Sequence, residues 1–139
     1  MPDAPRALLD VNVILDVLQH RPSFYGDSAA VLAAAETGRL TGLVAAHSVT
    51  TLIYLLSKYG SPDQARVHTV DLLTALDVAP VDRRVLDDAL ALPYRDLEDA
   101  VQMAAARRAG AEYLVTRDRA GYAAGPLPAL APAEMLTLL

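Results

Sequence analysis

The strongest constraint on this chain is its alternation of short apolar runs with longer helical stretches. Residues 7–9, 43–45, 77–81 and 113–115 read as strands, each only three to five residues long. Between them the apolar residues change to helical spacing, as in Val11, Ile14, Leu15 and Leu18. Strands that alternate with helices predict an α/β domain whose mainly parallel sheet is covered on both faces. The helical stretches carry their own punctuation. Arg21-Pro22 ends the first, Gly38 stops an alanine-rich helix over 28–35, and Ser48 is placed to cap the third. Ser61-Pro62-Asp63-Gln64 resembles a capping box with proline in the first helical position. Further helices are expected over 82–92 and from Asp96 to Gly110. A proline-rich tail then leads to a closing helix over 133–139.

The length of 139 residues favours one domain spanning 1–139, with no linker, repeat or low-complexity boundary inside it. A hydrophobic fraction of 53% supplies a core and argues against disorder. There are no cysteines, which excludes a disulfide framework, thiolate zinc sites and cysteine nucleophiles, and fits a reducing compartment. The N-terminal residues hold no apolar stretch of signal-peptide length. No run reaches the roughly 18 apolar residues of a membrane span. A cytoplasmic protein is the expectation. The net charge of −5 speaks against a simple phosphate-gripping module, but less against a metal enzyme, because a bound cation reverses the sign of an acidic pocket.

In an open parallel sheet, ligands bind outside the carboxyl ends of the strands. Asp10 closes the first strand, and Asp118 lies just beyond the fourth. Asp99 sits in the first turn of the helix that Asp96 opens. Three carboxylates at one edge repel one another, and a divalent cation removes that cost. Magnesium and manganese prefer such oxygen ligands, and they activate water and polarise phosphoryl oxygens. An acidic pocket with scattered histidines (His20, His47 and His68) therefore points to phosphodiester hydrolysis rather than zinc peptidase chemistry. Each residue also has an ordinary role open to it. Asp10 and Asp96 are good helix caps, Asp99 can complete a capping box, Glu98 suits a helix N-terminus, and Asp118 can be a loop residue. Of the arginines, only Arg117 and Arg119 adjoin the predicted site and are candidates for phosphate contacts. Tyr54 and Tyr59 are expected to pack inside. Surplus apolar surface around 52–56 and 72–76 is available for a dimer.

Taken in order, these segments resemble the PIN-domain family, VapC-type toxins in particular. Leu8-Leu9-Asp10-Val11-Asn12 resembles its opening strand and acid. Asp96-Leu97-Glu98-Asp99-Ala100-Val101-Gln102 resembles its third motif, and Tyr113-Leu114-Val115-Thr116-Arg117-Asp118 its fourth. Pro132-Ala133-Glu134-Met135-Leu136 resembles its closing turn and helix. The resemblance implies a Rossmann-like, mainly parallel sheet of four to five short strands between helices. It implies a Mg²⁺ or Mn²⁺ site and endoribonuclease activity leaving a 5′-phosphate and a 3′-hydroxyl. It also implies a cognate antitoxin partner and a homodimer. Asp10, Asp99 and Asp118 would then be the catalytic and metal-binding carboxylates. Asn12 and Thr116 would be their hydrogen-bond partners, and Asp96 a supporting carboxylate. One position departs from the pattern. Many PIN nucleases carry a glutamate early in the helix after the second strand, where this chain has Thr50 and Thr51. A hydroxyl is a weaker ligand for a hard cation than a carboxylate. The departure leaves open a catalytically impaired module that binds RNA or a protein partner. A phosphotransferase of the haloacid dehalogenase type ranks behind both, because Asn12 stands where that chemistry needs a second aspartate.

Overall fold

The computed structural model describes residues 3–139. Met1 and Pro2, part of the N-terminal stretch read above as lacking a leader, lie outside them. The chain runs β1 (Arg6–Leu9), α1 (Val11–Leu18), α2 (Tyr25–Glu36), β2 (Thr41–Ala45), α3 (Ala46–Tyr59), α4 (Pro62–Ala75) and β3 (Asp77–Ala79). It continues through α5 (Arg83–Leu90), α6 (Leu97–Arg108), β4 (Tyr113–Val115), a 3-10 turn at Ala120–Tyr122, β5 (Ala129–Leu130) and α7 (Pro132–Leu136). All neighbouring strands pair in parallel, in the order β3-β2-β1-β4-β5. The expected α/β fold is therefore present, with five strands.

Strand alternation builds two cores. Ala7, Leu9, Val44 and Val115 face one side, where Ile14, Val31, Leu52, Leu72 and Met135 from α1, α2, α3, α4 and α7 cover them. Leu8, Leu43 and Leu114 face the other side, under Val85 and Ala89 of α5 and the small face of α6. A sheet buried on both faces needs apolar residues at every position, which is why the strand signals are continuous runs. Gly42 permits close packing on β2: a Cβ there would lie 2.6 Å from Leu76 Cδ2 and 3.1 Å from Ala35 Cβ.

Local signals fared unevenly. Ser61 accepts a hydrogen bond from the Gln64 amide at 3.2 Å, with Pro62 opening α4. Ser48, by contrast, does not cap α3. The chain passes from β2 into helix without a loop, so Ala45 takes the cap position and Ser48 is buried inside the first turns. The third strand stops at Ala79, before Pro80, which has no N–H to extend a ladder. Tyr54 and Tyr59 do not pack inside: they are 62% and 70% exposed, on the outer side of α3.

Candidate active site at the sheet switch point

The strand order reverses at β1. The chain lays β2 and β3 on one side of it, then returns to place β4 and β5 on the other. Such a switch point opens a crevice at the strand carboxyl ends, because the connections leave in opposite directions. Asp10 and Thr116, the first residues after β1 and β4, meet there. The Asp10 amide donates to the Val115 carbonyl at 2.9 Å, carrying the ladder one step beyond the strands.

Asp10 sits at the N-cap position of α1, yet its side chain caps nothing. Its carboxylate turns inward and is 4% exposed. Oδ2 accepts from the Thr116 hydroxyl at 2.8 Å, and Oδ1 accepts from Gln102 Nε2 at 3.2 Å. Asp96 is a true cap: its Oδ1 accepts from the amides of Glu98 and Asp99, at 2.9 and 3.2 Å. That cap starts α6 in the position that brings Asp99 to the same edge. Asp99 makes no reciprocal capping bond. Its Oδ1 accepts from the Tyr122 hydroxyl at 2.9 Å, and that hydroxyl in turn accepts from Gln102 Nε2 at 3.0 Å.

Asp118 reaches the edge by another route. Its amide donates to Thr116 Oγ1 at 3.0 Å, and its carboxylate folds back to accept from the Gly121 amide at 3.1 Å. Gly121 lets that carboxylate fold close, since a Cβ there would lie 2.6 Å from Asp118 Oδ2 and displace it. Asp96, Asp99 and Asp118 line a cleft of about 410 Å³ together with Tyr94, Arg95 and Gly121. A larger cleft of about 510 Å³ near the ends of α1 and α3 holds no carboxylate. Among the described residues, no three His, Cys, Asp or Glu side chains form a ready-made metal cage. The expected acidic set is thus drawn to one edge, with Asp118 turned onto its own loop.

The other expected residues lie as follows. Asn12 is exposed in the first turn of α1 and makes no side-chain hydrogen bond among the described residues. Thr51 donates to Glu98 Oε1 at 3.2 Å, and His47 Nε2 lies 3.3 Å from the Glu98 carbonyl oxygen, so this group joins α3 to α6. Arg117 and Arg119 do not line the cleft; Arg117 pairs with a buried acid and Arg119 with an exposed one. Arg117 Nε is 2.9 Å from Oδ2 of the fully buried Asp16, out of line for a hydrogen bond, and its guanidinium stacks 4.0 Å above the Phe24 ring. Arg119 pairs with Glu134 at 2.9 Å. The exposed cation that lines the cleft is Arg95, which makes no ion pair or side-chain hydrogen bond among the described residues.

Gln102, Tyr122, Arg95 and Asp16 were not legible as site residues. Gln102 lies one helical turn after Asp99, a spacing that places both on one face and offered the only available signal. Tyr122 comes from a loop with no periodicity.

Burial pushes the Asp99 carboxyl up to about 6. The Tyr122 hydrogen bond opposes this, while the charges of Asp96, Asp10 and Asp118 push the same way. Burial, together with Asp10 and Asp99, pushes the Tyr122 phenol far above its ordinary value, so it remains a donor at neutral pH.

The PIN domain profile matches residues 6–120, most of the chain. The ribonuclease VapC1 of Aquifex aeolicus is 22% identical over 125 residues, covering 86% of each chain. Among solved structures, a toxin-antitoxin complex from Klebsiella pneumoniae superposes with a TM-score of 0.70 at 21% identity, over 91% of this chain and 97% of that one. Mycobacterium tuberculosis VapC20, described as a sarcin-ricin loop cleaving toxin, superposes with a TM-score of 0.62 at 15% identity, over 78% of this chain and 86% of that one. The chain belongs to the PIN domain family.

The raised Asp99 pKa fixes a pH dependence. A carboxyl whose folded pKa lies above its unfolded value of 3.8 favours folding when protonated. That contribution is fully present below about pH 4 and is lost as pH rises through about 6. Asp99→Asn lacks the charge but can still accept from Tyr122. In EDTA, its melting temperature relative to wild type should climb between pH 4 and pH 7. A difference that stays constant with pH would contradict the assignment.

Proposed function

We propose that this chain is a Mg²⁺- or Mn²⁺-dependent endoribonuclease, the toxin of a toxin–antitoxin pair, acting in the cytoplasm. The observation that carries the proposal is the Asp10–Asp99 pair, held at the switch point through shared hydrogen bonds. PIN family membership, the relative named a ribonuclease and the sarcin-ricin loop cleaving toxin among the structural neighbours support the same reading.

The donor set fits a small hard cation. Asp10 and Asp99 supply carboxylate oxygens, and magnesium is commonly held by one or two carboxylates while keeping several waters. A cation also relieves the mutual repulsion that helps to raise the Asp99 pKa. When bound, it would supply Lewis acidity and an activated water for attack on a phosphodiester. The chain's own residues do the rest. Thr116 and Gln102 fix both oxygens of Asp10, so its carboxylate enters the site oriented. Asp99 faces the cleft from the start of α6. Asp118 lines the same cleft and keeps lone pairs with which it could orient a water. Arg95 offers its guanidinium to a phosphate beside the acidic cluster, the role first considered for Arg117 and Arg119. Expected products carry a 5′-phosphate and a 3′-hydroxyl.

The antitoxin follows from the toxin–antitoxin neighbour. A second copy of the chain suits the apolar groove between α3 and α4, where Ile53, Val70 and Leu73 stand 41%, 59% and 39% exposed. No helix among the described residues is long and apolar enough to cross a membrane. A catalytically impaired module is the second reading, favoured by Thr51 and by the lack of a three-carboxylate cage among the described residues.

Cleavage of a structured RNA pool should require Mn²⁺ or Mg²⁺ and stop with EDTA. Asp10→Asn or Asp99→Asn should lower it on the order of a hundredfold or more, the scale of several kcal/mol. Folded protein that leaves the pool intact would favour the impaired module. Arg95→Ala should raise KM with kcat nearly unchanged, and should flatten the dependence of log K on log salt by about one unit. An unaltered salt slope would remove Arg95 from the phosphate path.

A further inference from the structure

Gln102 and Tyr122 form a directional bridge between the two carboxylates. Both side chains are buried, each 1% exposed. The Gln102 amide points its NH₂ group at Asp10, whose Oδ1 accepts from it; its oxygen there would face another acceptor. That choice fixes everything downstream. The same NH₂ donates to the Tyr122 oxygen, so the single Tyr122 proton is left for Asp99. The cost is visible at the other end of the amide, where Gln102 Oε1 is buried without a partner. An orphaned buried acceptor is destabilising, and such groups in native structures call for a functional explanation. Here the explanation is that one amide serves acceptors on two different elements.

We infer that Gln102 and Tyr122 are positioning residues that lock Asp10 and Asp99 into a single divalent-cation site. The inference rests on the metal-dependent reading above and assigns two further residues to that site. The bridge spans the end of β1, the second turn of α6 and the 3-10 turn, so it ties the site to three separately placed pieces of chain. A carboxylate held only by its own rotamer would reorient when the cation arrives. Held this way, it is already in place, and outer partners of metal ligands typically govern affinity by tenfold or more.

The test compares Mn²⁺ binding, by calorimetry or electron paramagnetic resonance, in the full chain and in Gln102→Met, Tyr122→Phe and the double variant. Gln102→Met keeps the length of the side chain and removes both its donors and its orphaned oxygen. Tyr122→Phe keeps the ring that packs edge-on against Tyr94, with centroids 5.8 Å apart. Each single variant should weaken Mn²⁺ binding about tenfold, while the melting temperature in EDTA stays near wild type for Tyr122→Phe and falls for Gln102→Met, which leaves Asp10 Oδ1 buried without its donor. The double variant should be little worse than either single one, because both cut the same chain of bonds. Affinities within twofold of wild type in both single variants would overturn the inference, as would independent effects that multiply to about a hundredfold. If Gln102→Met does not fold, Tyr122→Phe alone decides. A wild-type protein that binds no Mn²⁺ would overturn the metal-dependent reading itself, a failure distinct from intact binding in the variants.

Discussion

The pairing of β1 with β4 is the contact on which the site depends. Register places Leu9 opposite Val115, so the next residue on each strand, Asp10 and Thr116, emerges side by side. Because the sheet order reverses between these two strands, no connecting helix covers the gap above them. The Thr116 hydroxyl then holds Asp10 and also receives the Asp118 amide. A single buried threonine thus connects the end of one strand to the loop that follows another. A one-residue slip in this pairing would part Asp10 from Thr116 and send alternate side chains to the wrong core.

Burying Asp10 is tolerable because both of its oxygens receive donors, one from a hydroxyl and one from an amide. Asp99 is less well compensated. Burial is the main reason its pKa climbs; three other carboxylates add to the rise, and the single hydrogen bond from Tyr122 only partly opposes it. The two acids therefore differ in character: one is fixed in position, and the other is held under electrostatic load. A cation entering between them would find oriented oxygens and would remove repulsion, gaining on both counts. The buried Asp16–Arg117 pair plays a supporting role. It anchors the loop after β4 to α1, with Ser28 donating to Asp16 at 3.1 Å.

Much of this was legible in the sequence, and the reasons are local. Strands of continuous apolar residues announce a sheet covered on both faces, and an acid that ends such a strand lies at its carboxyl edge. Asp10 follows from that logic, Asp99 from its place in the first turn of a helix, and Thr116 from the family resemblance. Asp96 reads as a cap and is one. What could not be read depends on folding back over distance. Tyr122 reaches Asp99 from a loop 23 residues away, and Arg117 leaves the site because Asp16, 101 positions earlier, needs a counter-charge inside the core. β5, only two residues long in a proline-rich stretch, is too short to leave a periodic signature. Thr51 stands where many family members have an acid, and the fold gives it a partner from α6, Glu98, that spacing alone does not reveal.

The most direct measurement is anomalous diffraction from crystals of the full chain grown or soaked with Mn²⁺. A single strong peak bounded by the Asp10 and Asp99 carboxylates, lost in Asp99→Asn, is the predicted result. Absence of any peak there in a protein that still cleaves RNA, or a peak elsewhere in the fold, would contradict it.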